Sequence, residues 1–232
     1  MIRIFTALVL TLTLLLAGTV SFGAPQAGNT LDDVFKRLDD TAAKFKGLTA
    51  EVRRVSHTEV VDKNEVESGT IAAKKIKPKE TNILIKMTDP EIKFYSIANG
   101  KAVAFTQKTM EAQEANLGKS KDIVNQLMLL AFGSNSADLK AAYTVKLGGP
   151  DTVNGEKTVR IELTPKTDEV KHYVRRCDMW INDKGLGVQQ KFDTGGGDYV
   201  LTTYGNMTLA PNLRDSDVKL DLPKGVTVTK IK

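Results

Sequence analysis

The residues that could do chemistry are few, and their spacing argues against catalysis. The chain has two histidines, His57 and His172, and a single cysteine, Cys177. His57 lies in Val55-Ser56-His57-Thr58-Glu59 and His172 in Glu169-Val170-Lys171-His172-Tyr173. Neither belongs to a His/Cys/carboxylate set at metal-ligand spacing, and both read as surface residues. No Gly-x-Ser-x-Gly elbow presents a nucleophilic serine. Cys177 sits in the strand-like stretch Arg175-Arg176-Cys177-Asp178-Met179-Trp180 and reads as a buried thiol that packs rather than reacts. Thr194-Gly195-Gly196-Gly197-Asp198 has the glycines of a phosphate loop, but such a loop opens a helix. Tyr199 onward alternates like a strand, so this is a hairpin loop. The carboxylate pairs Asp32-Asp33 and Asp39-Asp40 fall on a helix away from its apolar stripe and read as solvated residues, not as an acid/base pair. The expectation is a protein that is not an enzyme and carries no cofactor and no metal.

The apolar residues carry the positive signal, and their periods define the elements. Leu31, Val34, Phe35, Leu38, Ala42 and Phe45 form one stripe on a helix running from Leu31 to about Lys46. Thr30 caps it, Asp32 and Asp33 suit its positive end, and Gly47 follows it. A second helix is expected from Ser120 to Phe132, apolar around much of its circumference through Ile123, Val124, Leu127 and Met128. A third, shorter one is expected over Ser136 to Ala142.

Everything else reads as strand and turn. Leu48, Ala50 and Val52 alternate with polar neighbours, as do Ile83, Ile85 and Met87, then Val159, Ile161 and Leu163. Tyr199, Leu201 and Thr203 follow the same period, and so do Val218, Leu220 and Leu222. Asn99-Gly100 and Asn154-Gly155 are two-residue hairpin turns. The pattern yields about ten or eleven strands. An antiparallel sheet of that width must curl, and too few helices exist to cover both faces. The expected fold is therefore α+β: a curled, incompletely closed antiparallel barrel with helices packed in its concave side as a lid. Leu48, Ala50, Val52, Ile83, Ile85, Met87, Val103 and Phe105 are expected to line the concavity, faced by Phe35, Leu38, Ile123, Leu127 and Met128 from the helices. The same residues would serve a solid core or a lipid-holding cavity.

The formal net charge of +5 is mild, and the one basic cluster, Lys74-Lys75-Ile76-Lys77-Pro78-Lys79, has no interleaved aromatics. That speaks against nucleic acid. The N-terminus reads as an export signal: Arg3, an apolar run from Ile4 to Val20, then Ser21 and Gly23 at the −3 and −1 positions of a cut after Gly23. Thr19 stands where a lipidated cysteine would have to be, so no lipid anchor is expected. The reading is a signal over residues 1–23 and one domain over 24–232, released to the periplasm as a monomer. With one cysteine it holds together without an internal disulfide.

Several stretches resemble the LolA family of periplasmic outer-membrane lipoprotein carriers. They are Leu38-Asp39, Phe45-Lys46-Gly47-Leu48-Thr49-Ala50, Glu67-Ser68-Gly69-Thr70-Ile71, Asp89-Pro90, Asn99-Gly100-Lys101, Leu163-Thr164-Pro165-Lys166, Gly197-Asp198-Tyr199 and Leu222-Pro223-Lys224-Gly225-Val226. The resemblance implies a half-open barrel with a helical lid over an apolar cavity. It also implies a carrier that takes acylated lipoproteins from an inner-membrane ABC transporter to an outer-membrane acceptor. Where the family has arginine before proline on an early strand, bonding the lid, this chain has Lys77-Pro78, which assigns Lys77 as the lid latch. Lysine lacks the planar fork of arginine, so a less specific latch is expected. Two other readings stand beside it: a sensory or regulatory module of the RseB group, which binds a membrane-associated partner, and a hydrolase acting on lipid or glycan.

Overall fold

The computed structural model describes residues 29–78, 80–117, 132–210 and 212–231. The first helix, α1 (Leu31–Lys44), starts where its sequence sets a capping box. Thr30 Oγ1 accepts from the Asp33 N–H, and Asp33 Oδ2 accepts from the Thr30 N–H, each at 3.2 Å. Val34, Phe35, Leu38 and Ala42 are its buried stripe. The helix stops at Lys44, two residues short of expectation, because Phe45 turns to extended backbone and drops its ring into the core.

Among the described residues twelve strands follow in one sheet. They are β1 (Gly47–Thr58), β2 (Lys63–Lys77), β3 (Glu80–Asp89), β4 (Lys93–Ala98), β5 (Lys101–Thr106), β6 (Glu111–Asn116), β7 (Tyr143–Val153), β8 (Glu156–Pro165), β9 (Arg176–Asn182), β10 (Gly187–Gly195), β11 (Asp198–Leu209) and β12 (Thr227–Ile231). Their order is β12-β6-β5-β4-β3-β2-β1-β11-β10-β9-β8-β7, and the sheet does not close on itself. The curled, open sheet with helices is the architecture expected, with one strand more and one pairing of a different kind. β12 runs parallel to β6, with Thr227 opposite Glu111. Among the described residues two short helices follow α1: α2 (Ser136–Ala142), at the expected bounds, and α3 (Asp168–Lys171), which no periodicity announced.

The alternation of Val218, Leu220 and Leu222 does not make a strand. Asp215–Val218 is a 3-10 turn packed on β2 and β3, and the chain then runs irregularly to β12. Lys74 Nζ meets Asp215 Oδ1 at 2.6 Å, which places that turn on the face of β2 opposite α1. The span from β3 to β12 is four strand spacings, roughly 19 Å, within reach of the intervening residues 219–226 at about 3.3 Å each. The C-terminal segment is thus a strap across the outer face of β3 to β6.

The inner face holds two apolar clusters. One gathers Val34, Phe35 and Leu38 of α1, Leu139 of α2 and Val159, Ile161, Leu163, Cys177, Met179 and Ile181 of β8 and β9. The other gathers Phe45, Leu48, Ala50, Val52, Ile71, Ala73, Ile83, Met87 and Tyr204. α1 is tied to the β9–β10 turn by Thr41 Oγ1, which donates to the Lys184 carbonyl at 2.6 Å. Asp39, read from sequence as solvated, joins α1 to the start of α2 instead: its oxygens accept from Ser136 N (2.6 Å) and Oγ (2.7 Å). The positive end of a helix favours a carboxylate at that place.

Gly69 marks the tightest backbone approach in the sheet, at an irregularity in the β2–β3 register. A Cβ there would lie 1.9 Å from the Lys86 carbonyl oxygen. Gly69→Ala is expected to destabilise the protein by about 1–3 kcal/mol or more, by forcing the central strands apart. Urea unfolding followed by tryptophan fluorescence measures it, and a midpoint equal to wild type would contradict the assigned register.

Candidate functional site

Register decides which residues share a surface. β1 pairs with β2 so that Leu48 faces Ala73, Ala50 faces Ile71, Val52 faces Gly69 and Arg54 faces Glu67. β2 hands the same face to β3, where Ala73 meets Ile83, Ile71 meets Ile85 and Gly69 meets Met87. β3 passes it to Ile97, Tyr95 and Lys93 of β4. On the other side of β1, Val52 lies opposite Tyr204 and Arg54 opposite Thr202. Leu48, Ala50, Val52, Ile83, Ile85 and Met87 therefore share the inner face.

Val103 and Phe105 do not belong to it. The β4–β5 connection is a two-residue turn, Asn99 at φ 54 and Gly100 at φ 71, with Ala98 opposite Lys101. Partners across such a turn differ in parity, so Val103 sits opposite Ser96 and Phe105 opposite Phe94. Those residues share the outer face with Leu84 and Lys86. Phe105 is 2% exposed there, stacked on Phe94 at 5.9 Å between ring centroids, in the region the C-terminal strap crosses. The expectation that both line the concavity is corrected accordingly.

Phe35 and Leu38 are buried on the inner face, but in the cluster over β8 and β9 rather than over β1 to β3. Leu38 reaches the boundary. With Thr41, Ala42, Phe45, Leu48, Phe132, Met179 and Leu186 it lines a cleft of ≈ 360 Å³, counting the open space at its mouth. Phe132 closes one side, its ring edge-on to Tyr204 at 5.0 Å. Ile123, Leu127 and Met128, and the helix expected to carry them, lie outside the described residues. Lys77, the expected latch, stands at the β2–β3 turn with its side chain 72% exposed and its ammonium 3.9 Å from Glu80.

Toward the other end of the same inner face the surface changes character. Each strand runs from apolar to charged: Val52 to Arg54, Gly69 to Glu67, and Tyr95 to Lys93. The three charges converge. Arg54 Nε donates to Glu67 Oε2 at 3.0 Å, Arg54 Nη2 donates to the same oxygen, and Lys93 Nζ donates to Oε1 at 3.0 Å. Arg54 Nη2 also donates to the Tyr95 hydroxyl at 2.9 Å, while its guanidinium carbon lies 4.7 Å from the Tyr95 ring centre. Burial opposes ionisation of Glu67, but the hydrogen bonds from Arg54 and Lys93 outweigh it and hold its carboxyl below the ordinary value of 4.5.

No motif search finds this group, because it has no local sequence signature. A signal existed nonetheless: Arg54 continues the inward series Leu48, Ala50, Val52, a charge at a position whose parity calls for an apolar side chain. The other chemistry-bearing residues stay apart from it. His57 faces outward, stacked on Tyr199 at 4.8 Å, with ring nitrogens 3.0 Å from Asn64 and from Glu59. Cys177 is fully buried and its thiol is pushed well above the ordinary value, first by that burial. It is the packed thiol expected. The triple glycine forms the β10–β11 hairpin loop, with Gly195 opposite Asp198.

Glu67 should contribute stability only while ionised. Its folded pKa is lowered, so the contribution is present above the unfolded value near 4.5 and is lost as pH falls through the folded one. Glu67→Gln is expected to lower the urea midpoint at pH 7, and the gap to wild type to narrow as pH falls below 4.5. A gap that stays constant with pH would contradict this.

No protein-family model matches the sequence, and no curated protein sequence matches it. Solved structures do share the fold. An uncharacterised conserved protein from Thermus thermophilus aligns over 86% of this chain and 98% of its own, at 11% identity and a TM-score of 0.54. MucB aligns over 85% of this chain at 10% identity and a TM-score of 0.50; the chain spans 65% of the MucB length. A LolA superfamily protein from Nitrosomonas europaea aligns over 82% of this chain and 98% of its own, at 12% identity and a TM-score of 0.41. The chain is thus similar in fold to MucB, and LolA superfamily proteins are among its structural neighbours.

Proposed function

We propose that this protein is a periplasmic carrier that shelters the acyl chains of lipoproteins, or of a related lipid, on the inner face of its curled sheet. The observation that carries the reading is the continuous apolar row on the inner face, from Leu48, Ala50 and Val52 through Ile71 and Ala73 to Ile83 and Met87, buried in one cluster with Phe45 and Tyr204 and with Ile85 and Phe132 packed against it. An acyl chain in water costs about 0.8 kcal/mol per CH₂. A concave apolar surface offsets that cost, and because dispersion and water exclusion are non-directional it does so without a fixed pose. That suits cargo which must be received and released.

The function is non-covalent. Binding and shelter need no nucleophile, metal or cofactor, and the groups assembled on the inner face hold one another as ion pairs. By the resemblance of the sequence to LolA carriers, delivery would run from an inner-membrane ABC transporter to an outer-membrane acceptor, with the N-terminal segment serving as the export signal. The fold shared with MucB makes a regulatory protein-binding role the alternative.

The purified protein, mixed with vesicles carrying a triacylated lipopeptide, is expected to draw the lipopeptide into a soluble complex, and not its deacylated form. Ile71→Glu, which puts a charge in the middle of the apolar surface, should reduce the extracted amount at least about tenfold. Gel filtration with mass spectrometry of the protein peak reads both. Equal recovery of acylated and deacylated peptide would defeat the carrier reading.

A further inference from the structure

At its Arg54 end the inner face carries a charged group, and that charge has a sign. Arg54 and Lys93 meet across the single carboxylate of Glu67. The neighbouring carboxylates pair chiefly with other lysines: Glu65 with Lys63 at 2.9 Å and Glu91 with Lys108 at 3.2 Å, Glu91 also lying 3.9 Å from Lys93. The sum over these seven groups is one positive charge; by register Glu65 and Lys63 lie on the same inner face, and Arg54 and Lys93 are the cations next to its apolar part. Their side chains are 24% and 30% exposed, against 12% for Glu67. The carboxylate is the enclosed member and the cations are the accessible ones. They adjoin the apolar surface directly, since Arg54 follows Val52 on the inner side of β1 and Lys93 lies opposite Met87.

We infer that Arg54 and Lys93 form a headgroup site for an anionic amphiphile, a phosphate or carboxylate at the head of apolar chains, whose chains lie along Val52, Met87 and Ile71. The inference rests on the carrier reading and narrows it by naming the charge of the ligand. Glu67 is the positioning residue. It holds the guanidinium and the ammonium at a fixed separation before any ligand arrives, while Tyr95 orients the guanidinium by its hydroxyl. The Nε and Nη2 edge of Arg54 is held by Glu67 and Tyr95, so Nη1 is the donor it offers an anion, and lysine adds a point charge beside it. A neutral or cationic head of equal chain length gains nothing from either group and places a mismatched charge or dipole on a positive floor.

The test uses three amphiphiles with the same twelve-carbon chain, each below its micelle threshold: dodecyl phosphate, dodecyl maltoside and dodecyltrimethylammonium. Titration calorimetry on the full-length mature protein at low ionic strength should give the phosphate about tenfold tighter binding than the maltoside, with the ammonium weakest. Raising the salt to about 0.5 M should shrink the phosphate preference severalfold and leave maltoside affinity nearly unchanged. Lys93→Gln should cut the ratio of the two affinities to below about threefold, whereas Lys101→Gln, the same charge change at the far β4–β5 turn, should not. Arg54→Gln supplies the second variant, and the salt series on wild type stands if either fails to fold. Equal affinities for all three heads, or a preference indifferent to salt, would overturn the headgroup site while leaving the carrier reading intact. Binding of none of the three would overturn the carrier reading itself.

Discussion

The pairing of β1 with β2 on one side and β11 on the other is the joint on which the structure depends. β2 to β6 form one antiparallel meander and β7 to β11 another, and β1 joins them. Its pairing with β2 runs unbroken from Gly47 to Thr58, which carries the inward parity of Leu48, Ala50 and Val52 across to Ile71, Ile83 and Met87. Its pairing with β11 shifts between Thr49 and Glu51. An irregularity of this kind bends a strand and increases its twist, which is how one wide sheet avoids staying flat. A slip of one residue at β1 would turn the inner apolar set of one half outward.

A sheet that curls without closing has two faces to manage and no second sheet to cover either. The inner face is covered by α1 over β8 and β9, tied to the β9–β10 turn through Thr41. On the outer face the C-terminal segment runs from the 3-10 turn on β2 and β3, where Val218 is buried, to β12 beside β6. The strap also explains the parallel strand. A chain that enters at β2 and leaves beyond β6 arrives at that edge already aligned with β6, and β12 covers an edge that would otherwise be bare.

The division of the inner face into an apolar end and a charged end follows from the same geometry. Strands in register carry residue type across the sheet in rows, so one row of Val52, Gly69 and Met87 is followed by one of Arg54 and Glu67 with Lys93 beside it. Three partly buried charges on β1, β2 and β4 are costly unless they pair. The hydrogen bonds that tie Arg54 and Lys93 to Glu67 satisfy the carboxylate and leave the cations more exposed than it is.

Local patterns determined the elements. A capping box and a 3.6-residue stripe define α1, Asn-Gly pairs define two hairpins, and period-2 alternation marks most strands, because each of these is set by interactions within a few residues. The single cysteine reads as packed for the same reason. Faces and neighbours were settled only by tertiary structure. Val103 and Phe105 share odd numbering with Ile83 and Ile85, yet the two-residue turn at Asn99-Gly100 reverses their parity and sends them outward. Val218, Leu220 and Leu222 alternate like a strand but find no strand partner, since β2 to β6 are already paired along both edges up to β12. The Arg54–Glu67–Lys93 group joins residues up to 39 positions apart, and no local rule reads a contact of that range. The few residues able to do chemistry were visible in the sequence; which of them share a surface was decided by strand register.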